Sequence, residues 1–135
     1  MFGGNINSSW SLEFKTSKIF VKKNISKNLF LKFEEYCLND LRNYVDDEYL
    51  LIPKVITYKK NKSSEILILE WIDIQNDDDT KLGKGLALMH LNSQNLKLNK
   101  FGYSVEGFIG TNPQIKGWEE NWTCLLYTSD AADDC

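Results

Sequence analysis

The chain has 135 residues, 42% of them hydrophobic and 26% charged, with a formal net charge of −3 at pH 7. This composition is typical of a soluble protein, and the length suffices for the hydrophobic core of one domain. The negative net charge excludes the basic surface of a nucleic-acid-binding protein. No run approaches the roughly 18 apolar residues that a membrane helix needs, and residues 1–10 have neither the basic region nor the apolar core of a signal peptide.

A β-hairpin is predicted at the start of the chain. Residues 3–9, GGNINSS, are a cluster of turn-forming types. Residues 10–15 then alternate apolar and polar side chains, which is the period-two pattern of a strand. Residues 15–18, KTSK, predict a turn, and residues 18–24, KIFVKKN, predict the returning strand.

Two lysines inside that returning strand raise the first functional question. Because side chains alternate between the two faces of a strand, Lys22 shares a face with Phe20, and Lys23 lies on the other face with Val21. On the residues alone, two interpretations stay open. Either the strand ends at Val21 and both lysines are solvated, or one lysine points inward toward an anion.

A helix is predicted over residues 26–45. Ser26 is its expected cap, and the residues at helical spacing are Leu31, Phe33 or Glu34, Leu38 and Leu41. The helix should end before the acidic run DDE that follows Val45.

Two further strands and a second helix complete the pattern. Residues 50–60 and 63–74 have strand compositions, with NKSS as the hairpin turn between them. The polar connector 75–79 precedes a helix over 80–95 with Leu82, Leu86 and Met89 on one stripe, and residues 98–122 are predicted to be irregular and rich in aromatic side chains. An antiparallel sheet with one helix, followed by the start of a helical region, is an α+β plan.

Six motifs in this order point to a known family. They are GGNINSSWSLEF…IFVKKN, KFEEYCLNDL, IPKVI, LILEWIDI, LGKGLALMH and FGY…FIGTNPQ…GWEENW. In order and spacing they resemble the fructosamine kinase (ketosamine-3-kinase) family over residues 2–123. The resemblance implies a protein-kinase-like fold of two lobes, related to aminoglycoside and choline kinases. Residues 1–72 would be the small lobe ending in the hinge, and residues 73–123 the start of a truncated large lobe.

The family resemblance also implies an activity. Members use ATP with Mg²⁺ to phosphorylate the sugar hydroxyl of ketosamines such as fructosamine and ribulosamine, free or attached to proteins, in protein deglycation. Expected partners are therefore ATP and a ketosamine, with no nucleic acid and no membrane, and the oligomeric state is left open.

Site residues follow from the resemblance as well. Lys22 would neutralise the nucleotide's α- and β-phosphates, and Glu34, with Glu35 as its competitor, would pair with Lys22 and fix its rotamer. The bend before the first strand would cover the phosphates through its backbone N–H groups. The predicted nucleotide-binding residues are Gly3, Gly4, Asn5, Ile6, Asn7, Ser8, Lys22 and Glu34, with the hinge residues Glu70, Trp71 and Ile72.

The family's His-Gly-Asp catalytic loop and its later metal-binding aspartate have no match in the sequence. No catalytic or metal-binding residue is therefore assigned, and the 135-residue chain alone is predicted to be inactive. Lys116 departs from the asparagine that the family usually has after Pro-Gln-x. Two alternatives stay open: a hydroxyl kinase of the aminoglycoside or choline type, and a non-catalytic, pseudokinase-like binding module.

Residues 124–135, CLLYTSDAADDC, change character abruptly and resemble a translated sequencing adapter, the alternative being a genuine acidic tail. Without its three aspartates, 16 acidic residues would face 16 basic ones, from the 19 and 16 of the whole chain. The three cysteines, Cys37, Cys124 and Cys135, have no metal-ligand spacing and form no even disulfide set, so a reducing cytoplasm is the expected compartment.

Overall fold

The structure, a computed structural model, describes residues 7–25, 30–74, 79–94, 100–109, 112–114 and 116–124. Its contacts divide the chain into two compact units, Met1–Leu96 and Lys97–Cys135, here called the first and second units. The lobe boundary that the family resemblance implies after residue 72 stays a prediction. Among the described residues, no helix combines the length and the apolar character that crossing a membrane requires.

A four-stranded antiparallel sheet is the frame of the first unit, as the α+β prediction expects. Its strands are β1 (Ser8–Glu13), β2 (Lys18–Asn24), β3 (Val55–Lys60) and β4 (Glu65–Glu70). They lie in the order β1-β2-β4-β3, and each neighbouring pair is antiparallel. The two hairpins bring β2 and β4, which are far apart in the sequence, side by side at the centre of the sheet.

Among its described residues this unit has two helices, α1 (Phe30–Leu41) and α2 (Asp79–Gln94). Helix α1 ends before the predicted Val45, because the chain tightens into turns in which the Asn43 and Tyr44 N–H groups donate to carbonyls three residues earlier, each at 3.0 Å. The predicted cap Ser26 lies outside the described residues. On the apolar stripe of α2, the side chains of Leu82 and Leu86 are 48% and 40% exposed.

The core of the first unit lies between α1 and one face of the sheet. Leu31 of α1 and Leu67 of β4 have no exposed surface, and Leu69 is 4% exposed. Phe20, Leu38, Val55 and Tyr58 pack around these three residues. Fully burying one such leucine contributes about 1.5–3 kcal/mol, so α1 is held mainly by this small cluster.

Helix α2 makes a close contact with the segment 46–50 at Gly85, which is buried. A β-carbon at Gly85 would lie 2.7 Å from Leu50 Cβ and 3.0 Å from the Tyr49 carbonyl carbon. At Gly83, two residues earlier on the same helix, a β-carbon would meet nothing within 4 Å. The two glycines therefore differ in surroundings although they share a helix.

We expect Gly85→Ala to destabilise the protein by about 1–3 kcal/mol, because the new methyl group overpacks this contact. Gly83→Ala is the matched control and should stabilise by about 0.5–1 kcal/mol, since alanine favours a helix interior over glycine. Urea unfolding of both variants measures the two effects. An increase in stability for both would show that α2 does not lie this close to Leu50.

The described part of the second unit contains four short strands, so the prediction of an irregular segment was wrong. The strands β5 (Phe101–Tyr103) and β8 (Gly117–Glu119) form one antiparallel pair, and β6 (Gly107–Ile109) and β7 (Asn112–Gln114) form another. Strands of three residues are too short to show a period-two pattern. In addition, glycines stand inside or at the ends of three of them.

One of these glycines makes a close backbone approach possible. Gly102 has φ +136°, and a β-carbon there would lie 2.1 Å from the Gly117 carbonyl oxygen. Only glycine fits such a position. Beside this pair, the rings of Phe101 and Trp122, two of the aromatic side chains of this segment, meet edge to face with their centroids 5.7 Å apart.

Candidate functional site

Lys22 and Glu34 form an ion pair on the sheet face that α1 covers. Lys22 Nζ lies 2.8 Å from Glu34 Oε1 and 2.6 Å from Oε2. The two side chains are half-buried, with 24% and 29% of their surface exposed. Contact with both carboxylate oxygens is a charge-assisted interaction that fixes the position of the ammonium group.

Alternation along β2 explains why Lys22 rather than Lys23 makes this contact. The strand continues through Asn24, so the interpretation that it ends at Val21 is wrong. Phe20, two residues before Lys22, packs on the core beneath α1, and Lys22 points the same way. Lys23 is exposed.

Helical spacing explains why Glu34 rather than Glu35 is the partner. Glu34 precedes Leu38, which packs on the core, by four residues and Leu41 by seven, so it lies on their stripe of α1. Glu35 is turned away from that stripe by about 100° around the helix. Glu35 pairs instead with Lys32, whose Nζ lies 2.6 Å from Glu35 Oε2. The structure thus separates the two candidate glutamates, while the nucleotide-binding role of the Lys22–Glu34 pair stays a prediction.

The predicted phosphate-covering bend is described only at its end. Gly3, Gly4, Asn5 and Ile6 lie outside the described residues. Asn7 precedes β1, and its side-chain Oδ1 is buried with no hydrogen-bond partner in the part of the chain that the structure describes. Buried polar atoms are normally hydrogen-bonded, and because an amide oxygen accepts, its partner would have to be a donor rather than a phosphate oxygen.

The last two residues of the bend, Ser8 and Ser9, belong to the sheet. Ser8 opens β1 and stands opposite Lys23 in the pairing of β1 with β2, and Ser9 stands opposite Lys22. The strand thus begins two residues before the predicted Trp10. This register places the end of the bend next to the lysine that is predicted to bind phosphate.

In the predicted hinge, the Glu70 side chain is held within the first unit. Its Oε1 accepts the Lys54 N–H at 2.8 Å, and Arg42 Nη1 lies 3.8 Å from the same oxygen. The Glu70 N–H donates to the Lys54 carbonyl at 3.0 Å. Glu70 therefore links the end of β4 to the segment before β3 and to the end of α1.

The Trp71 side chain is also held by neighbouring groups. Lys18 Nζ lies 3.8 Å from the centroid of the indole ring, a cation–π contact. The indole Nε1–H donates to Asp73 Oδ1 at 2.6 Å. Ile72, which follows, is half-buried. The Trp71 side chain is thus held in place beside the end of β4, within the segment 70–72 that is predicted to be the hinge.

A buried carboxylate that the sequence analysis missed lies beside the ion pair. Glu65, 1% exposed, accepts the Asn24 Nδ2–H at 3.0 Å and the Leu31 N–H at 3.4 Å on Oε2. Its Oε1 accepts the Tyr58 hydroxyl at 2.6 Å and the Lys32 N–H at 3.2 Å. Both carboxylate oxygens are thus hydrogen-bonded twice, and two of the donors are backbone groups at the start of α1.

A signal for Glu65 was present in the pattern of β4. Glu65, Leu67 and Leu69 alternate with less buried residues, so the period-two rule places the glutamate on the buried face. Its partner Tyr58 is affected in turn. Burial first, and then the hydrogen bond to Glu65 and the negative charges of Glu65 and Glu35, raise the pKa of Tyr58 well above its usual value. The phenol therefore keeps its proton and remains a donor.

Among the residues that the structure describes, no group of three or more His, Cys, Asp or Glu side chains is arranged to hold a metal ion. No Mg²⁺ ligand is therefore assigned in this part of the chain. The ammonium group of Lys22 suits an anionic ligand rather than a metal ion. An ammonium group fixed by a carboxylate is a point charge that can face phosphate oxygens.

The chain is similar to known proteins both in sequence and in structure. A protein named protein-ribulosamine 3-kinase, chloroplastic, from Oryza sativa subsp. japonica is 31% identical over 127 residues, which cover 89% of this chain and 35% of that protein. A crystallised protein named as a fructosamine-3-kinase, from Haemophilus somnus 129PT, superposes with a TM-score of 0.78 at 18% identity, over 96% of this chain and 43% of that one.

An aminoglycoside phosphotransferase solved with AMP-PNP and hygromycin B shares the fold more distantly, with a TM-score of 0.53 at 16% identity, over 94% of this chain and 42% of that one. The chain thus spans about two fifths of the length of these proteins. The family model for fructosamine kinase matches residues 1–129 and so extends into the segment 124–135, whose origin stays a prediction. The chain belongs to the fructosamine kinase family.

Proposed function

We propose that the full-length protein containing this chain is an ATP-dependent kinase that phosphorylates the sugar hydroxyl of ketosamines. The Lys22–Glu34 ion pair is the observation that carries the proposal, because kinases of this fold class hold the nucleotide phosphates with a strand lysine fixed by a helix glutamate. The chain's part in the reaction is to bind and orient ATP. Mg²⁺ would neutralise charge on the phosphates, with ligands outside the described residues.

The substrate class is supported by the names of the relatives. The rice relative's name specifies ribulosamine attached to protein, and protein deglycation by this route is part of the proposal. In the second unit, Lys116 is exposed. A lysine near the substrate disfavours polycations by like-charge repulsion, roughly 1 kcal/mol at 4 Å in bulk water and more where water is excluded. We also propose that the protein is located in the cytoplasm.

A competition assay tests the function directly. The full-length protein is given fructose-lysine or ribulose-lysine against kanamycin and choline, with radiolabelled ATP, and the 135-residue chain alone is the expected inactive control. We expect the highest kcat/KM for a ketosamine. A higher value for kanamycin or choline would select the small-molecule kinase instead, and no transfer together with retained ATP binding would select a pseudokinase-like module.

Glu34→Gln should weaken ATP binding by about 3- to 10-fold, because a neutral amide holds the lysine less firmly than a carboxylate does. Glu35→Gln is the matched control, since Glu35 lies next in the chain and pairs with Lys32 rather than with Lys22. It should change the dissociation constant less than twofold. Calorimetric titration with MgATP measures both, and a larger loss for Glu35→Gln would exchange the two roles.

A further inference from the structure

Glu65 lies on the same sheet face as the Lys22–Glu34 pair, but the hydrogen bonds of Glu65 are made with other residues. In the pairing of β2 with β4, Lys22 stands opposite Leu67, and Asn24 stands opposite Glu65. Lys22 and Asn24 are two residues apart and therefore point to the same face. The buried carboxylate is thus the next position along the sheet from the ion pair, beneath the beginning of α1.

The contacts of Glu65 with α1 fix where that helix begins on the sheet. The first N–H groups of a helix have no partner within the helix, and a negative charge beside them is favourable. Glu65 supplies this partner from another strand by accepting the Leu31 and Lys32 N–H groups. Glu34 follows Leu31 by three residues, so its position above the sheet depends on where Leu31 is held.

Strands on both sides of β4 hold the Glu65 carboxylate itself. Asn24 of β2 donates to Oε2, and Tyr58 of β3 donates to Oε1. Each carboxylate oxygen of Glu65 accepts two hydrogen bonds, and a buried acceptor satisfied in this way favours one arrangement. The sheet therefore presents a fixed anion to α1, and the hydrophobic contact of Leu31 with Leu67 adds no such directional constraint.

We propose that Glu65 is a positioning residue for the nucleotide site: it sets the register of α1 at which Glu34 meets Lys22. The proposal rests on the proposed function, because it assigns to Glu65 an indirect effect on ATP binding. It goes beyond that function in naming a residue, 31 positions after Glu34 in the chain, on which the ion pair depends.

A double-mutant cycle on the full-length protein tests the proposal. Glu65→Gln keeps the size of the side chain but replaces one acceptor oxygen with a donor amide that faces N–H or O–H donors. We expect it to raise the ATP dissociation constant about 3- to 10-fold in the wild-type background and less than twofold in a Lys22→Met background. Glu13→Gln, at an exposed residue ending β1, is the control and should change neither.

Each outcome of the cycle has one meaning. Equal losses in the two backgrounds, or no loss in either, would overturn the proposal, because Glu65 would then act independently of Lys22. If Lys22→Met itself left ATP binding unchanged, the proposed function of the site would fail instead, and the two failures are thus distinguishable.

A milder variant keeps the test available if Glu65→Gln does not fold. Tyr58→Phe removes a single donor to Glu65 and keeps the ring that packs on the core. It should raise the ATP dissociation constant about 2- to 3-fold, again only when Lys22 is present. A loss of the same size in the Lys22→Met background would count against the proposal.

Discussion

Replacing Lys22 with methionine should weaken ATP binding by the full-length protein by about 10- to 150-fold, which corresponds to about 1.5–3 kcal/mol for a hydrogen bond to a charged group. The ammonium is fixed 2.6 Å from Glu34 Oε2, so it would already be oriented for the proposed nucleotide. Methionine removes the charge and would leave the Glu34 carboxylate to repel the phosphates.

Lys23→Met is the matched control for this experiment. It changes the neighbouring residue in the same way, but Lys23 is exposed on the opposite face of β2. Its dissociation constant for MgATP, measured by calorimetry, should stay within about twofold of the wild type, because exposed charges interact weakly through solvent. Equal losses for the two variants, or a larger loss for Lys23→Met, would refute the assignment of Lys22.

Leu67→Ala should destabilise the protein by about 2–5 kcal/mol, the range for removing a buried leucine side chain and leaving a cavity. Leu67 has no exposed surface. Among the described residues, the buried members of its hydrophobic cluster are Leu31 and Leu69. Because the core contains so few residues, few neighbouring side chains can move to fill the cavity. The loss would be a large share of the 5–15 kcal/mol typical of a domain.

Ile66→Ala provides the control on the same strand. Ile66 is only half-buried and points to the other face of the sheet, so its loss should be smaller by at least about 1 kcal/mol. Urea unfolding followed by circular dichroism measures both variants. If Ile66→Ala proved as destabilising as Leu67→Ala, the main core would lie on the face of the sheet opposite α1.

Local periodicity in the sequence determined much of the fold and the main pair of the site. Alternation in β2 places Lys22 with Phe20 and away from Lys23, and helical spacing in α1 places Glu34 on the buried stripe. Both rules need only residues within a few positions of each other. Together with the six family motifs they were enough to predict the antiparallel sheet and the lysine–glutamate pairing.

Only the tertiary structure decided the contacts between residues far apart in the chain. Glu65 meets Asn24 across 41 positions and Leu31 across 34, and Gly85 meets Leu50. A single glutamate in an apolar strand carries no local sign of its donors, because its hydrogen bonds exist only once β2, β3 and α1 have assembled around it. Which pattern a segment has is a local property of the chain, whereas which partner satisfies a buried carboxylate is decided by packing.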